Sequence, residues 1–218
     1  MKTVIIKVIL RCLLVMVIGY LLGSVSLSYF IGKLTKNIDI RTKGSGNLGS
    51  TNVLRVLGKR AAIFTFIYDV LKGVISVWIA DLLFKGEYEQ YGSIGTMVSG
   101  IAVVLGHNFP FYLNFKGGKG IATSFGVALY LNPFGALTIL AVEFIIIFAS
   151  GYVALASIIN CVLYPFAVNL LWSAGSGDLY IWIMSVILGV FALIRHMPNI
   201  KRLIQGNENR FSLKKKKE

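Results

Sequence analysis

GIATSFGVALYLNPFGALTILAVEFIIIFAS, residues 120–150, is apolar along nearly its whole length and is interrupted at Leu131-Asn132-Pro133. Proline has no backbone donor, and Asn-Pro favours a break in a helix. A helix crossing a bilayer needs about 20 apolar residues. The stretch therefore either crosses once as a kinked helix or enters and returns as a pair. That choice sets the parity of the whole chain.

Further apolar runs lie at 8–31, 61–84, 93–113, 152–172 and 179–194. Between them the basic residues fall in three groups. Lys33, Lys36, Arg41, Lys43, Arg55, Lys59 and Arg60 follow the first run, and Lys116 and Lys119 precede residue 120. Arg195, Lys201, Arg202, Arg210 and Lys214 to Lys217 crowd the end. Cationic loops stay on the cytoplasmic side. A single crossing by 120–150 would send the last group outward, whereas an even number of passages keeps all three together. The expected fold class is thus an all-α polytopic membrane protein of about seven transmembrane helices, N-terminus out and C-terminus in. Five spans plus a re-entrant helical pair at 120–150 is the alternative. Lys2 and Lys7 before the first apolar run resemble a secretory signal, but the run is long and its following loop is the more basic flank, so an uncleaved first span is expected.

Composition supports this class. Of 218 residues, 56% are hydrophobic and 14% charged, against about 25% charged in soluble domains. Residues 1–218 are expected to form a single integral membrane domain, with cytosolic motif regions at 33–60, 106–120 and 195–218. The net charge of +13 suits an anionic lipid surface or an anionic substrate. Nucleic acid is not expected as a partner, because no basic domain stands outside the membrane. Cys12 and Cys161 lie in apolar runs and read as packing residues. His107 and His196 have no second histidine at helical spacing, so no metal is expected.

Three polar segments would meet on the inner face. KGSGNLGSTNVLRVLGKR, residues 43–60, offers Gly44, Gly46 and Gly49 for positive φ. It also supplies Ser45, Asn47, Ser50, Thr51 and Asn52 as short hydrogen-bonding groups and Arg55 as a planar fork for phosphate. A plain loop with Thr51 or Asn52 capping the next helix explains the glycines but not so many donors beside an arginine. GHNFPFYLNFKGGKGIAT, residues 106–123, sets Lys116, Gly117, Gly118, Lys119 and Gly120 at a helix N-terminus, where free N–H groups favour an anion. It lacks the spacing of a P-loop. IRHMPNIKRLIQGNENRF, residues 194–211, adds Asn199 and Glu208, neither of which helps membrane binding. GYVALASI, residues 151–158, begins a run at the same face and brings Gly151 and Ser157 near the site. Within the runs, Asp69 and Lys72 can pair on one helix face, while Glu143 is a lone carboxylate with no assigned role. Several phosphate-type sites opening onto lipid suit a substrate with a charged head and an apolar tail that meets a second, soluble anion.

GSGNLGSTNVLR at 44–55, GHNFPFYLNFKGGKGIAT, GYVALASI and NIKRLIQGNE resemble, in order and over nearly the whole chain, the bacterial acyl-phosphate-dependent glycerol-3-phosphate acyltransferases. The resemblance implies a seven-span enzyme of the bacterial inner membrane with its site at the cytoplasmic face. It would move an acyl group from acyl phosphate to the 1-hydroxyl of glycerol 3-phosphate, giving lysophosphatidate and phosphate without a cofactor. It assigns Ser45 and Arg55 to substrate phosphate, Lys116 to Gly120 to glycerol 3-phosphate and phosphate, and Asn199 and Glu208 to maintenance of the site. The H-x-x-x-x-D motif of other acyltransferases is absent here. Met197-Pro198 departs from the family's usual basic and acidic pair, which leaves Arg195 and His196 without a carried-over role. A monomer is expected, and a soluble enzyme producing acyl phosphate is a partner by family analogy. Direct attack by the glycerol hydroxyl is favoured, with a substrate phosphate or His107 taking the proton. A transporter of a phosphorylated metabolite is the competing class.

Overall fold

The computed structural model describes residues 2–170 and 178–211; the basic run Lys214 to Lys217 and the end of the 152–172 stretch lie outside them. The described regular structure is helical: α1 Lys2–Ser24, α2 Leu27–Lys36, α3 Ser50–Val56, α4 Lys59–Leu83, α5 Gly92–Asn108, α6 Ile121–Leu131, α7 Pro133–Ser150, α8 Val153–Asn169, α9 Leu179–Arg195 and α10 Met197–Ile204, with three short 3-10 turns. Helices satisfy every backbone donor and acceptor internally, which lipid requires. The outward faces match that solvent: Ile6, Leu10 and Val17 on α1 and Phe148 on α7 are between 55% and 77% exposed. A contiguous exposed apolar surface of this kind belongs in a membrane.

Four helical segments are long and apolar enough to cross a bilayer: 2–36, α4, 86–113 and α7. A fifth arises if α9 and α10, bent by 53° at His196, count together. Seven full-length spans are therefore more than helix length alone supports. The 11 residues of α6 reach only about 16 Å at 1.5 Å per residue, and α8 is also shorter than the four long segments.

Contacts fix the direction of each helix. Gly19 packs on Ser99 and Gly23 on Val103, so α1 runs parallel to α5. Arg11 Nε, near the start of α1, donates to Leu83 O at the end of α4 (2.9 Å). Asp178, just before α9, accepts from Ser93 at the start of α5. At the other end, Arg195 reaches Gly117 and Gly118 beyond α5. The start of α6 lies beside the end of α5. Its far end reaches the C-terminal turn of α8, where Asn132 Nδ2 donates to Val168 O (3.2 Å). Then α7 returns beside α8, with Glu143 bonded to Ser157. Residues 120–150 thus go in and come back. In consequence the described basic groups at 33–60, 116–119 and 195–202 gather at one end of the bundle.

Asn132 makes the reversal. Its Oδ1 accepts from Gly135 N (2.9 Å), capping α7, whose first residue is Pro133. The 8–31 run also departs from expectation, breaking at Val25 between α1 and α2. Lys72 Nζ takes up two carbonyls at that break, Gly23 O (3.1 Å) and Val25 O (3.3 Å). Small residues permit the close crossing of α1 and α5: a Cβ on Gly23 would lie 2.0 Å from Val103 O. The central core is Val77, Val103, Val104, Val127, Ala136 and Met184. A smaller cluster of Ile40, Leu48, Val53, Ala62 and Leu113 seats the α2–α3 loop against the basic end.

Candidate active site

The loop before α3 is organised around Asn52, which is 1% exposed. Its Nδ2 donates to Asn47 O (2.9 Å) and Lys43 O (3.1 Å), and its Oδ1 accepts from Ser45 N (2.8 Å). These bonds tie Asn52 into the loop, and it also lines the cleft, where the sequence pointed to a substrate ligand. Asn47 is partly committed too, its Oδ1 accepting from Gly49 N (2.7 Å). Gly44 and Gly46 have φ of +60° and +73°, as expected, but Gly49 is extended at −73° and is itself the N-cap of α3. Neither Thr51 nor Asn52 caps that helix. The loop and α3 line the cleft with Ser45, Asn47, Ser50, Thr51, Asn52 and Arg55, and among the described residues the hydroxyls of Ser45, Ser50 and Thr51 and the guanidinium of Arg55 make no hydrogen bond.

The glycine-lysine segment divides in a way its sequence does not show. Gly117 N donates to Asn108 O (3.1 Å) and Gly118 N to His107 O (3.0 Å). Arg195 clamps the same two residues from α9, with Nη2 on Gly117 O (3.1 Å) and Gly118 O (2.9 Å). These N–H groups are therefore occupied, and the pair anchors the loop. Lys116 points to solvent and does not line the cleft. Lys119 does line it, and Gly120 follows at φ +84° as the N-cap of α6. Burial pushes the Lys119 ammonium down to about 8, with Glu208 opposing and Arg202, Arg195 and Arg55 adding to the fall.

The third segment holds Lys119 in place. Lys119 Nζ donates to Asn199 Oδ1. Asn199 Nδ2 donates to Glu208 Oε2 (3.1 Å), and Arg202 Nε to the same oxygen (2.9 Å). The chain Lys119–Asn199–Glu208–Arg202 thus orients the cation while compensating the carboxylate elsewhere. Three residues of the cleft, His196, Glu143 and Asn160, had no role assigned from the sequence. His196 lines the cleft with Nδ1 donating to Ala192 O (2.7 Å), which leaves Nε2 as an acceptor; its place within motif 194–211 was the available signal. Glu143 accepts from Ser157 Oγ (2.9 Å) and Asn160 Nδ2 (2.7 Å), tying α7 to α8. Ser157 therefore reaches the cleft already engaged by a carboxylate. Gly151, at φ +78°, ends α7, and its carbonyl accepts from Phe211 N (2.7 Å), closing the tail over this turn.

Beneath the loop, Asp69 Oδ1 lies 2.7 Å from Lys72 Nζ and 3.4 Å from His107 Nδ1. Asp69 and His107 both line the cleft. The space between all these groups measures about 500 Å³. Its polar end is walled by Ser45, Thr51, Arg55, Lys119, His196 and Asn199, its apolar part by Phe66, Phe125, Leu140, Phe144, Ile147 and Phe148. Phe66, Phe144 and Phe148 are themselves exposed on the bundle's flank, so the cleft opens sideways. Among the described residues, no three His, Cys, Asp or Glu side chains come together as a metal would need.

Residues 13–206 match the family model described as Glycerol-3-phosphate acyltransferase. The chain belongs to this family. A protein named glycerol-3-phosphate acyltransferase from Alkaliphilus metalliredigens is 46% identical over 202 residues, covering 93% of this chain and 97% of its own. One of the same name from Clostridioides difficile is 41% identical, again over 93% and 97%. Among solved structures, PlsY (YgiH), an integral membrane glycerol 3-phosphate acyltransferase in its glycerol 3-phosphate form, superposes with a TM-score of 0.80. It is 37% identical and covers 92% of this chain and 96% of that one. Its lysophosphatidic acid form gives 0.78 at 36% identity. The likeness spans the fold, and the chain is accordingly membrane-embedded.

Proposed function

We propose that this member of the family transfers an acyl group from acyl phosphate to the 1-hydroxyl of glycerol 3-phosphate, as the first acylation of phospholipid synthesis. The observation that carries the proposal is a pair of cations with no ion-pair partner among the described residues, at the head of an apolar slot. Arg55 makes no ion pair or hydrogen bond among the described residues, and Lys119 meets only the neutral Asn199. Two phosphates, one on each substrate, would supply the missing charge, each charge-assisted bond contributing about 1.5–3 kcal/mol. Ser45 and Thr51 add neutral donors, and the apolar part of the cleft takes the acyl chain.

An acyl phosphate carries a good leaving group, so no covalent enzyme intermediate is needed. The glycerol oxygen attacks the carbonyl carbon, the carbon–oxygen bond of the mixed anhydride breaks, and phosphate leaves with the bonding pair. The hydroxyl proton passes to a phosphate oxygen, with His107 the other candidate acceptor. Orientation by Arg55 and Lys119 supplies the proximity term, and their charge stabilises the developing anion. The seven apolar helices α1, α4, α5, α6, α7, α8 and α9 are embedded in the bacterial inner membrane as a monomer, with α6 and α7 entering and returning. The basic end faces the cytoplasm, where a soluble enzyme delivers acyl phosphate.

The test is incubation of membranes holding the full chain with labelled glycerol 3-phosphate and, side by side, acyl phosphate, acyl-CoA and acyl carrier protein. Labelled lysophosphatidate with acyl phosphate alone is expected. Product only with a thioester donor overturns the donor assignment. Uptake into vesicles without lipid product would make the protein a transporter.

A further inference from the structure

We infer that His107 acts through Nε2–H as a hydrogen-bond donor to an oxygen of a bound substrate, and is not the group that removes the proton. Lys72 Nζ lies 2.9 Å from His107 Nδ1. An ammonium has no lone pair and three N–H groups to donate. Its three shortest partners are Asp69 Oδ1 (2.7 Å), His107 Nδ1 (2.9 Å) and Gly23 O (3.1 Å), so Nδ1 presents its lone pair to Lys72, and Asp69 Oδ1 at 3.4 Å from the same nitrogen is the weaker contact. A neutral imidazole bonded in that way carries its proton on Nε2. A doubly protonated ring would set an N–H directly against the ammonium.

The surroundings hold Lys72 in that role. From α4, Asp69 Oδ1 sits 2.7 Å from the ammonium, and from the end of α1 the carbonyls of Gly23 and Val25 accept from it. From α9, Arg195 bonds the carbonyl of Gly118, which leans against the ring, and that of Gly117 beside it. Two cations and one carboxylate thus face the imidazole, a field that opposes a further positive charge on it. Nε2 is free of protein partners among the described residues, and it does not number among the sealed, unpaired atoms. Gly118 keeps it so, since a Cβ there would fall 1.9 Å from Nε2. His107 is 8% exposed and lines the cleft. A donor so placed suits a carbonyl or phosphate oxygen, as neutral histidines do elsewhere when they polarise a substrate.

The inference rests on the acyl-transfer reading for its substrate but not for its tautomer, and the experiment separates the two. The full chain in lipid nanodiscs, labelled with 15N-histidine and carrying His196→Gln for assignment, is observed by NMR between about pH 6 and pH 8, where a free imidazole changes charge. A proton on Nε2 and none on Nδ1 throughout is expected; Nδ1–H or an imidazolium in that range overturns the inference. Kinetically, His107→Gln, whose amide also donates, should keep turnover within about tenfold of the parent, while His107→Ala loses on the order of a hundredfold or more. Equal, near-complete loss in both variants restores the base. Affinities of His107→Ala for glycerol 3-phosphate and for a non-hydrolysable acyl phosphonate show which substrate supplies the oxygen, and unchanged affinity for both with unchanged turnover rejects the contact. Absence of lysophosphatidate from the parent protein would reject the acyl-transfer reading and leave the tautomer standing.

Discussion

Burial holds Lys119 near 8, inside the range where enzymes are assayed. A cation's folded-state pKa drawn downward means that the charged form is complete below that value and lost above it. Phosphate binding needs the charged form, so kcat/KM for glycerol 3-phosphate should fall above about pH 8, by up to tenfold per pH unit. Lys119→Arg should move that fall to higher pH, and a profile unchanged by this substitution would remove Lys119 from the site. Lys119→Ala should raise KM for glycerol 3-phosphate; a change confined to the acyl donor would mean that the two phosphate positions are exchanged. Arg55→Ala should lower turnover by on the order of a thousandfold while the protein still reaches the membrane, since the side chain holds no structural bond. At this scale the sequence named polar side chains that the fold brings to one cleft, Arg55, Lys119 and Asn199 among them. It could not show which bonds are already occupied: Asn52 spends its amide N–H groups on its own loop, and Gly117 and Gly118 spend their N–H groups on Asn108 and His107.

Helix boundaries show the same division. Pro133 after Asn132 marked a break that periodicity cannot hide, because proline removes a donor whatever surrounds it. Whether α6 and α7 reverse or merely bend depends on partners 35 residues away in sequence, the carbonyls of Ala167 and Val168 at the end of α8, and only the charge argument spoke to that. The break at Val25 was invisible, since its stabilising cation is Lys72 on α4. Glu143 looked solitary for a similar reason, its donors standing 14 and 17 residues onward. Asn132→Ala removes an N-cap worth about 1 kcal/mol and strips two α8 carbonyls of a donor. The thermal midpoint of the purified protein should drop measurably, and an unshifted midpoint would deny the turn its structural role. Gly23→Leu should abolish folded, monodisperse protein on size exclusion, because Val103 O already occupies the space its Cβ would take.

Across the whole molecule, the arrangement rests on one face collecting chemistry from segments far apart in the chain. With Cys12 and Cys161 replaced by alanine, single cysteines at Lys43, Lys116 and Lys201 should all react with an impermeant reagent from the cytoplasmic side. One at Gln90, in the α4–α5 connection, should react only from the opposite side. A split among the first three would dismantle the shared site. The sideways opening between Phe66 on α4 and Phe144 and Phe148 on α7 bears on traffic. A newly made amphiphile can slip through that gate into the surrounding leaflet by two-dimensional diffusion, its tail never wetted. Detergent monomers have the same shape and the same door, so catalysis should run faster in bilayer discs than in micelles.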